Sequence, residues 1–230
     1  LHLLSRRQRQ MCIRDSLESL RKKAPELAPI FEMLYDGKSQ RTIANLINKP
    51  QSSVNDMIKR MRTMFTPLKI AGMEVKNRTF MAPMSLGYES QDGTVNEKME
   101  AYWLRRAQGG VGCIIVDATS VDPNVPYLGN TLCFRDEESI KKYKSFTDKV
   151  HSYGCKIIPQ ITHPGPESIS AFFGVAPVAS SSYPNSMGQM TRELAKEELP
   201  GIVALYAKAS KNAKEAGFDG IELHCAHAYM

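Results

Sequence analysis

Residues 113–118, CIIVDA, form an almost unbroken apolar run, and two more of the same kind follow: KIIPQI at 156–161 and FDGIELH at 218–224. Strands that alternate apolar and polar residues have one wet face; strands apolar throughout are covered on both, as in a parallel sheet flanked by helices. The intervening text supplies the helices. Asn96–Gln108 places Met99, Tyr102, Trp103 and Ala107 on one side, and helical patterns recur at about 137–153 and 196–216. Upstream, Thr79–Ala82 reads as a first short strand, preceded by a hairpin from Pro67–Ile70 and Met73–Lys76 with its turn at Gly72. Pro159 is out of place inside a strand.

Four β/α strands begin either a doubly wound sheet or a closed barrel, and periodicity does not separate the two. A dinucleotide-binding sheet would carry G-x-G-x-x-G after a strand; Gly109-Gly110-Val111-Gly112 precedes one instead. That favours a (β/α)8 TIM barrel, of which residues 65–230 would be a truncated first half. In such a barrel chemistry gathers where strands exit at their C-terminal ends. The exits here are Pro83-Met84-Ser85, Ala118-Thr119-Ser120, Gln160-Ile161-Thr162-His163 and His224-Cys225-Ala226-His227-Ala228-Tyr229. The long Ser/Pro-rich connection from Pro164 to Leu194 suits a functional loop.

The fourth exit is the richest. His224 and His227 can donate jointly to one oxygen, with Tyr229 as a weak acid beside them. A metal pair is the competing reading, but no third ligand is spaced to complete it. Histidines bonded to backbone are the other.

Outside this region the chain changes character. Residues 1–65 hold 13 of the 30 Lys/Arg and only 6 of the 24 Asp/Glu, so the net charge of +6 belongs to the N-terminal segment. The string RRQRQMCIRDS (6–16) resembles translated sequencing-adapter read-through, and residues 1–16 are read as an artefactual or disordered tail. Residues 17–64 read as helical. Leu17, Leu20, Leu27 and Ile30 share a face, Gly37 breaks it, and Ser39 caps a helix with Ile43, Ala44 and Ile47. After Asn48-Lys49-Pro50, Ser52 or Ser53 opens a helix bearing Val54, Met57, Ile58 and Met61. This is a helix-turn-helix pattern. A packing or assembly extension is the leading reading, with nucleic-acid binding second.

Five cysteines form no C-x-x-C pair, which points to reduced thiols in a cytoplasmic setting. No apolar run reaches the length of a membrane span or signal peptide.

Four segments make a family visible: FTPLKIAGMEVKNRTFMAPM (65–84), YWLRRAQGGVGCIIVDATSV (102–121), PQITHPG (159–165) and AGFDGIELHCAHAY (216–229). In this order they resemble the old yellow enzyme family of flavin oxidoreductases, especially its enoate and dienoyl-CoA reductase-like branch. The resemblance implies an FMN-binding (β/α)8 barrel using NAD(P)H to reduce the C=C bond of an α,β-unsaturated carbonyl, enoate or enoyl-CoA substrate. It implies flavin contacts from Ala82, Pro83, Met84, Ser85, Ala118 and Gln160. It gives His224 and His227 the substrate oxygen and Tyr229 the proton for the α-carbon, with no metal ligand. The larger members' 4Fe-4S cluster and FAD would lie beyond Met230, and a half barrel is expected to be inactive alone. Two departures stand out: Pro166 replaces an expected arginine, and Cys225 and Ala228 replace glycines. The alternative is a helix-turn-helix DNA-binding regulator fused to a ligand-sensing barrel.

Overall fold

The computed structural model describes residue 21 and residues 25–229. These divide into two compact units: the described residues up to Thr79 together with Gln108–Gly112, and Phe80–Ala107 with Cys113 onward.

Among its described residues the first unit holds helices α1 (Ala28–Tyr35), α2 (Gln40–Leu46) and α3 (Gln51–Met64). The break between α1 and α2 falls where the sequence places it. Gly37 takes φ 77°, a conformation that costs glycine nothing. Ser39 caps α2, its hydroxyl accepting from the Thr42 N–H at 3.1 Å. Leu27, Ile30, Ile43, Ala44, Val54, Met57, Ile58 and Met61 form one buried cluster. The expected faces of Leu17 and Leu20 lie outside the described residues. Neither Ser52 nor Ser53 caps α3; Pro50 stands at its N-cap and makes no side-chain cap bond. A proline fixes φ near the helical value and so ends the turn without a hydroxyl.

Strands β1 (Leu68–Ile70) and β2 (Met73–Val75) pair antiparallel as the expected hairpin. The left-handed turn residue is Ala71, at φ 48°, rather than Gly72.

The second unit is built on β4 (Cys113–Ser120). β3 (Phe80–Met81) pairs parallel with its start, β5 (Leu132–Cys133) with its end, and β6 (Lys156–Thr162) runs along its other side. β9 (Glu222–Leu223) then pairs parallel with β6. The order β3-β4-β6-β9 follows the chain without reversal, which is how a barrel grows, whereas a doubly wound sheet reverses at its switch point. The last strand is shorter than the 218–224 run suggests. Its start is tied instead by Asp219, whose N–H donates to the Ile157 carbonyl at 2.9 Å while its carboxylate accepts from the Ile157 N–H at 2.9 Å and Lys156 Nζ at 2.7 Å.

Helices α4 (Glu97–Gln108) and α5 (Glu137–His151) supply aromatic packing. Trp103 meets Phe146 at 5.4 Å between ring centres, and Phe134, Tyr143 and Phe218 form a second cluster. Asp136 and Ser139 close a reciprocal capping box at the start of α5. The helix expected from 196 begins with a 3-10 turn at Lys196–Glu198 and becomes α6 at Leu199–Glu215. Gly217 follows at φ 80°, and a Cβ there would lie 2.7 Å from Thr147 Oγ1, so glycine is required for both reasons.

The 164–194 connection is a folded loop. It contains short 3-10 turns at Gly165–Glu167 and Ile169–Phe173 and a parallel ladder of β7 (Val178–Ala179) with β8 (Arg192–Glu193). Buried Asn185 pins it, its amide donating to the Pro166 carbonyl at 2.8 Å. Among the described residues no helix is long and apolar enough to cross a membrane.

Candidate active site

The misplaced proline explains how the site is built. Val116 pairs with Pro159 and Ala118 with Gln160, so β4 carries one extra residue, Asp117, opposite the position where β6 lacks an N–H. This is a β-bulge, which absorbs the missing ladder bond and re-aims the extra side chain. Asp117 is buried, and its carboxylate accepts from the Ser85 hydroxyl at 2.8 Å, the Leu86 N–H at 2.8 Å and the Ala118 N–H at 2.7 Å. The bulge thus fastens the chain leaving β3 onto β4. Sequence reasoning missed Asp117; a carboxylate inside CIIVDA was the available signal.

Glu89 was missed as well. It is buried, and its Oε2 has no hydrogen-bond partner among the described residues. Burial first, then the nearby Asp117 carboxylate, push its carboxyl up to about 7, against the pull of backbone groups at Glu89 and Gly87. The loop holding it is anchored at Gly93, whose carbonyl accepts from buried Tyr143 Oη at 2.8 Å and the Cys133 N–H at 2.9 Å. A Cβ at Gly93 would lie 2.5 Å from Cys133 Sγ, and its φ is 74°.

The shift sets a pH dependence. Unfolded, the Glu89 carboxyl titrates near 4.5; folded, near 7. Between those values the folded chain keeps a proton that the unfolded chain has lost, so stability falls as pH rises through the window. The cost is absent below about 4.5 and complete above about 7, amounting to about 3 kcal/mol. Glu89→Gln should flatten this fall. Urea unfolding of both proteins at the two ends of the window measures it; equal slopes would exclude the assignment.

Across the sheet, Ala118, Gln160 and Glu222 stand opposite one another on β4, β6 and β9. Residues directly opposite in adjacent strands face the same side. The Gln160 amide donates to Glu222 Oε1 at a long 3.3 Å, while the buried Glu222 Oε2 and Thr162 Oγ1 lack partners among the described residues. This row therefore holds an amide and unspent acceptors, a donor set that fits the polar edge of a heterocycle.

Just beyond β9 the expected trio comes together. His224 is held by its N–H to the Ile161 carbonyl at 3.0 Å. Its ring centre lies 5.4 Å from that of His227 and 4.8 Å from that of Tyr229; His227 and Tyr229 are 6.5 Å apart. Burial and the neighbouring His227 lower the His224 pKa, against Glu222, which favours a neutral ring. Burial and then Tyr127, whose ring centre is 5.1 Å away, push the Tyr229 phenol well above its usual value, so it keeps its proton at neutral pH. The turn is strained: His227 and Ala228 take φ 57° and 64°. Ala228 stands where the family resemblance leads one to expect a glycine, and a side chain in that conformation costs about 1–2 kcal/mol.

The other named residues are placed differently. Ala82 and Ser85 are exposed and Pro83 half-buried, and Met84 is 58% exposed. His163 is buried: its Nδ1 accepts the Gly165 N–H at 3.1 Å, and its backbone N–H donates to the Tyr206 hydroxyl at 2.9 Å. Among the described residues no group of three His, Cys, Asp or Glu is placed to hold a metal. A crevice lined by Ser120, Phe134, Leu205 and Asn212 shares no residue with the histidine cluster.

Parallel strands in chain order, with titratable side chains collected beyond their ends, define the active half of a barrel enzyme. Residues 63–230 match the model of the NADH:flavin oxidoreductase / NADH oxidase family, and the chain belongs to that family. It is 36% identical over 170 residues to an NADH oxidase of Thermoanaerobacter brockii, covering 73% of this chain and 26% of that one. It is 34% identical over 174 residues to a cinnamate reductase of Clostridium sporogenes, covering 72% and 26%. The old yellow enzyme homologue from Zymomonas mobilis superposes with a TM-score of 0.66 at 29% identity, covering 73% of this chain and 50% of that one. The chain thus spans between a quarter and a half of these relatives, and its sheet is the first half of a (β/α)8 barrel. The family's description names NADH and a flavin.

Proposed function

We propose that this chain contributes the substrate-oxygen and flavin-edge contacts of an FMN-dependent enzyme that reduces the C=C bond of an α,β-unsaturated carbonyl compound with NAD(P)H. The observation that carries the reading is the gathering of His224, His227 and Tyr229 beyond β9, on the strand paired with that of Gln160.

FMN, when bound, supplies the hydride. Gln160 and the backbone at Ala118 would hold its polar edge, and the chain leaving β3 at Ala82, Pro83, Met84 and Ser85 would lie along it. The Ser85 hydroxyl already donates to Asp117, so its oxygen is left to accept. His224 and His227 donate to the substrate carbonyl oxygen, where negative charge develops as the β-carbon is reduced. A neutral His224 donates without bringing charge that substrate binding would have to neutralise. Tyr229, still protonated at neutral pH, gives its proton to the α-carbon. The cinnamate reductase likeness favours an unsaturated carboxylate or its thioester as substrate.

The test uses this chain joined to the remainder of its barrel, purified with FMN and assayed anaerobically with NADH and cinnamate. Oxidation of NADH coupled to saturation of the acceptor is expected. A protein that keeps FMN and yet saturates neither cinnamate nor an unsaturated thioester or ketone refutes the proposal.

A further inference from the structure

The helices before the barrel segment are not used by the chemistry above, and their surface has a sign. From Lys38 to Thr63 stand six cations, Lys38, Arg41, Lys49, Lys59, Arg60 and Arg62, against one acid, Asp56, and all seven are exposed. Arg60 reaches Glu26 at 3.7 Å across an open surface, a pair worth little. The other five make no ion pair with a described carboxylate. In the barrel segment six of the 17 Lys/Arg, namely Lys142, Lys144, Lys149, Lys156, Arg192 and Lys211, sit within 4.0 Å of an acid, and its acids balance its cations.

The backbone arranges this charge. α2 and α3 are joined by four residues, with Asn48 in the left-handed region at φ 52° and the Lys49 N–H closing on the Ala44 carbonyl at 3.0 Å. Val54, Met57, Ile58 and Met61 are buried, which turns Gln51, Asn55, Lys59 and Arg62 outward at steps of four, four and three residues. The exposed side of α3 carries no apolar residue, whereas a protein-docking helix would show apolar anchors at its centre.

We propose that residues 28–64 bind duplex DNA as a helix-turn-helix, with α3 in the major groove. The amides of Gln51 and Asn55, at the N-terminal half, face base edges, where paired donor and acceptor atoms match adenine. Lys59 and Arg62, further along, meet phosphates. The inference rests on this unit alone and is independent of the redox reading.

Fluorescence anisotropy of the full chain with a mixed-sequence duplex, at about 50 to 200 mM salt, reads the contact. Affinity should fall steeply with salt, and Lys59→Ala and Arg62→Ala should each lower the log–log slope by about one. The cations of residues 6–23 would also draw DNA, so this change in slope is the deciding result. Selection from a randomised duplex pool should return different sequences for the wild-type chain and for a Gln51→Ala, Asn55→Ala double variant of equal helicity. No binding by folded protein, an unchanged slope in the Lys59 and Arg62 variants, the same selected sequences, or equal affinity for single-stranded RNA would each overturn the proposal.

Discussion

Replacing His224 with alanine, in a protein that joins this chain to the rest of its barrel, should slow enoate reduction at least tenfold. Loss of one preorganised donor to a developing oxyanion usually costs about 3–4 kcal/mol, a hundred- to thousand-fold in rate. The lower bound applies if His227, whose ring centre is 5.4 Å from that of His224, takes over part of the load. The loss should fall on the half-reaction with the unsaturated substrate and spare reduction of the flavin by NADH, since His224 is assigned to the substrate oxygen. Stopped-flow measurement of the two half-reactions separates them. Normal turnover with the unsaturated acceptor would remove His224 from the mechanism and take the paired-donor reading with it.

A comparable effect, on stability, is expected for Asp117→Ala. The carboxylate serves three donors: the Ser85 hydroxyl, the Leu86 N–H and the Ala118 N–H. Exposed Ser85 can turn to water, but the Ala118 N–H lies inside the bulge, where an unmade bond costs about 1–3 kcal/mol. Against this, removing Asp117 relieves its repulsion of Glu89. Two lost backbone bonds outweigh one relieved like-charge contact, so unfolding free energy should drop by about 2–4 kcal/mol. The same substitution should bring the Glu89 carboxyl down from about 7 toward 4.5, which carboxyl-carbon NMR would follow. Undiminished stability with an unmoved Glu89 would show that the two carboxylates neither interact nor fasten β3 to β4.

These two predictions sit on opposite sides of what the chain's text reveals. His224 is legible because a strand exit ending in His-x-x-His-x-Tyr is unusual and the exits of barrel strands carry function. Asp117 looks like an interruption of an apolar run, and Glu89 like a loop carboxylate. Both mattered only once a register was fixed, and register is a property of two strands at once. Pro159 is the clearest instance. Within its own strand it breaks a rule; paired with Val116, next to the unpaired Asp117, it marks the position where β4 has one residue too many.

Local preferences, then, were determined by the sequence. Apolar runs gave the strands, 3.6-residue spacing gave the helices, and Gly37 and Ser39 gave their ends, because each depends on residues within a turn of one another. The family segments gave the barrel and singled out Gln160, His224, His227 and Tyr229 as candidates. Only the tertiary structure aligned Ala118, Gln160 and Glu222, aimed Asp117 at Ser85, and raised the Glu89 carboxyl. Those outcomes depend on pairing and burial between residues up to 62 positions apart, and no local spacing encodes the free energy of a contact that exists only after the chain has closed.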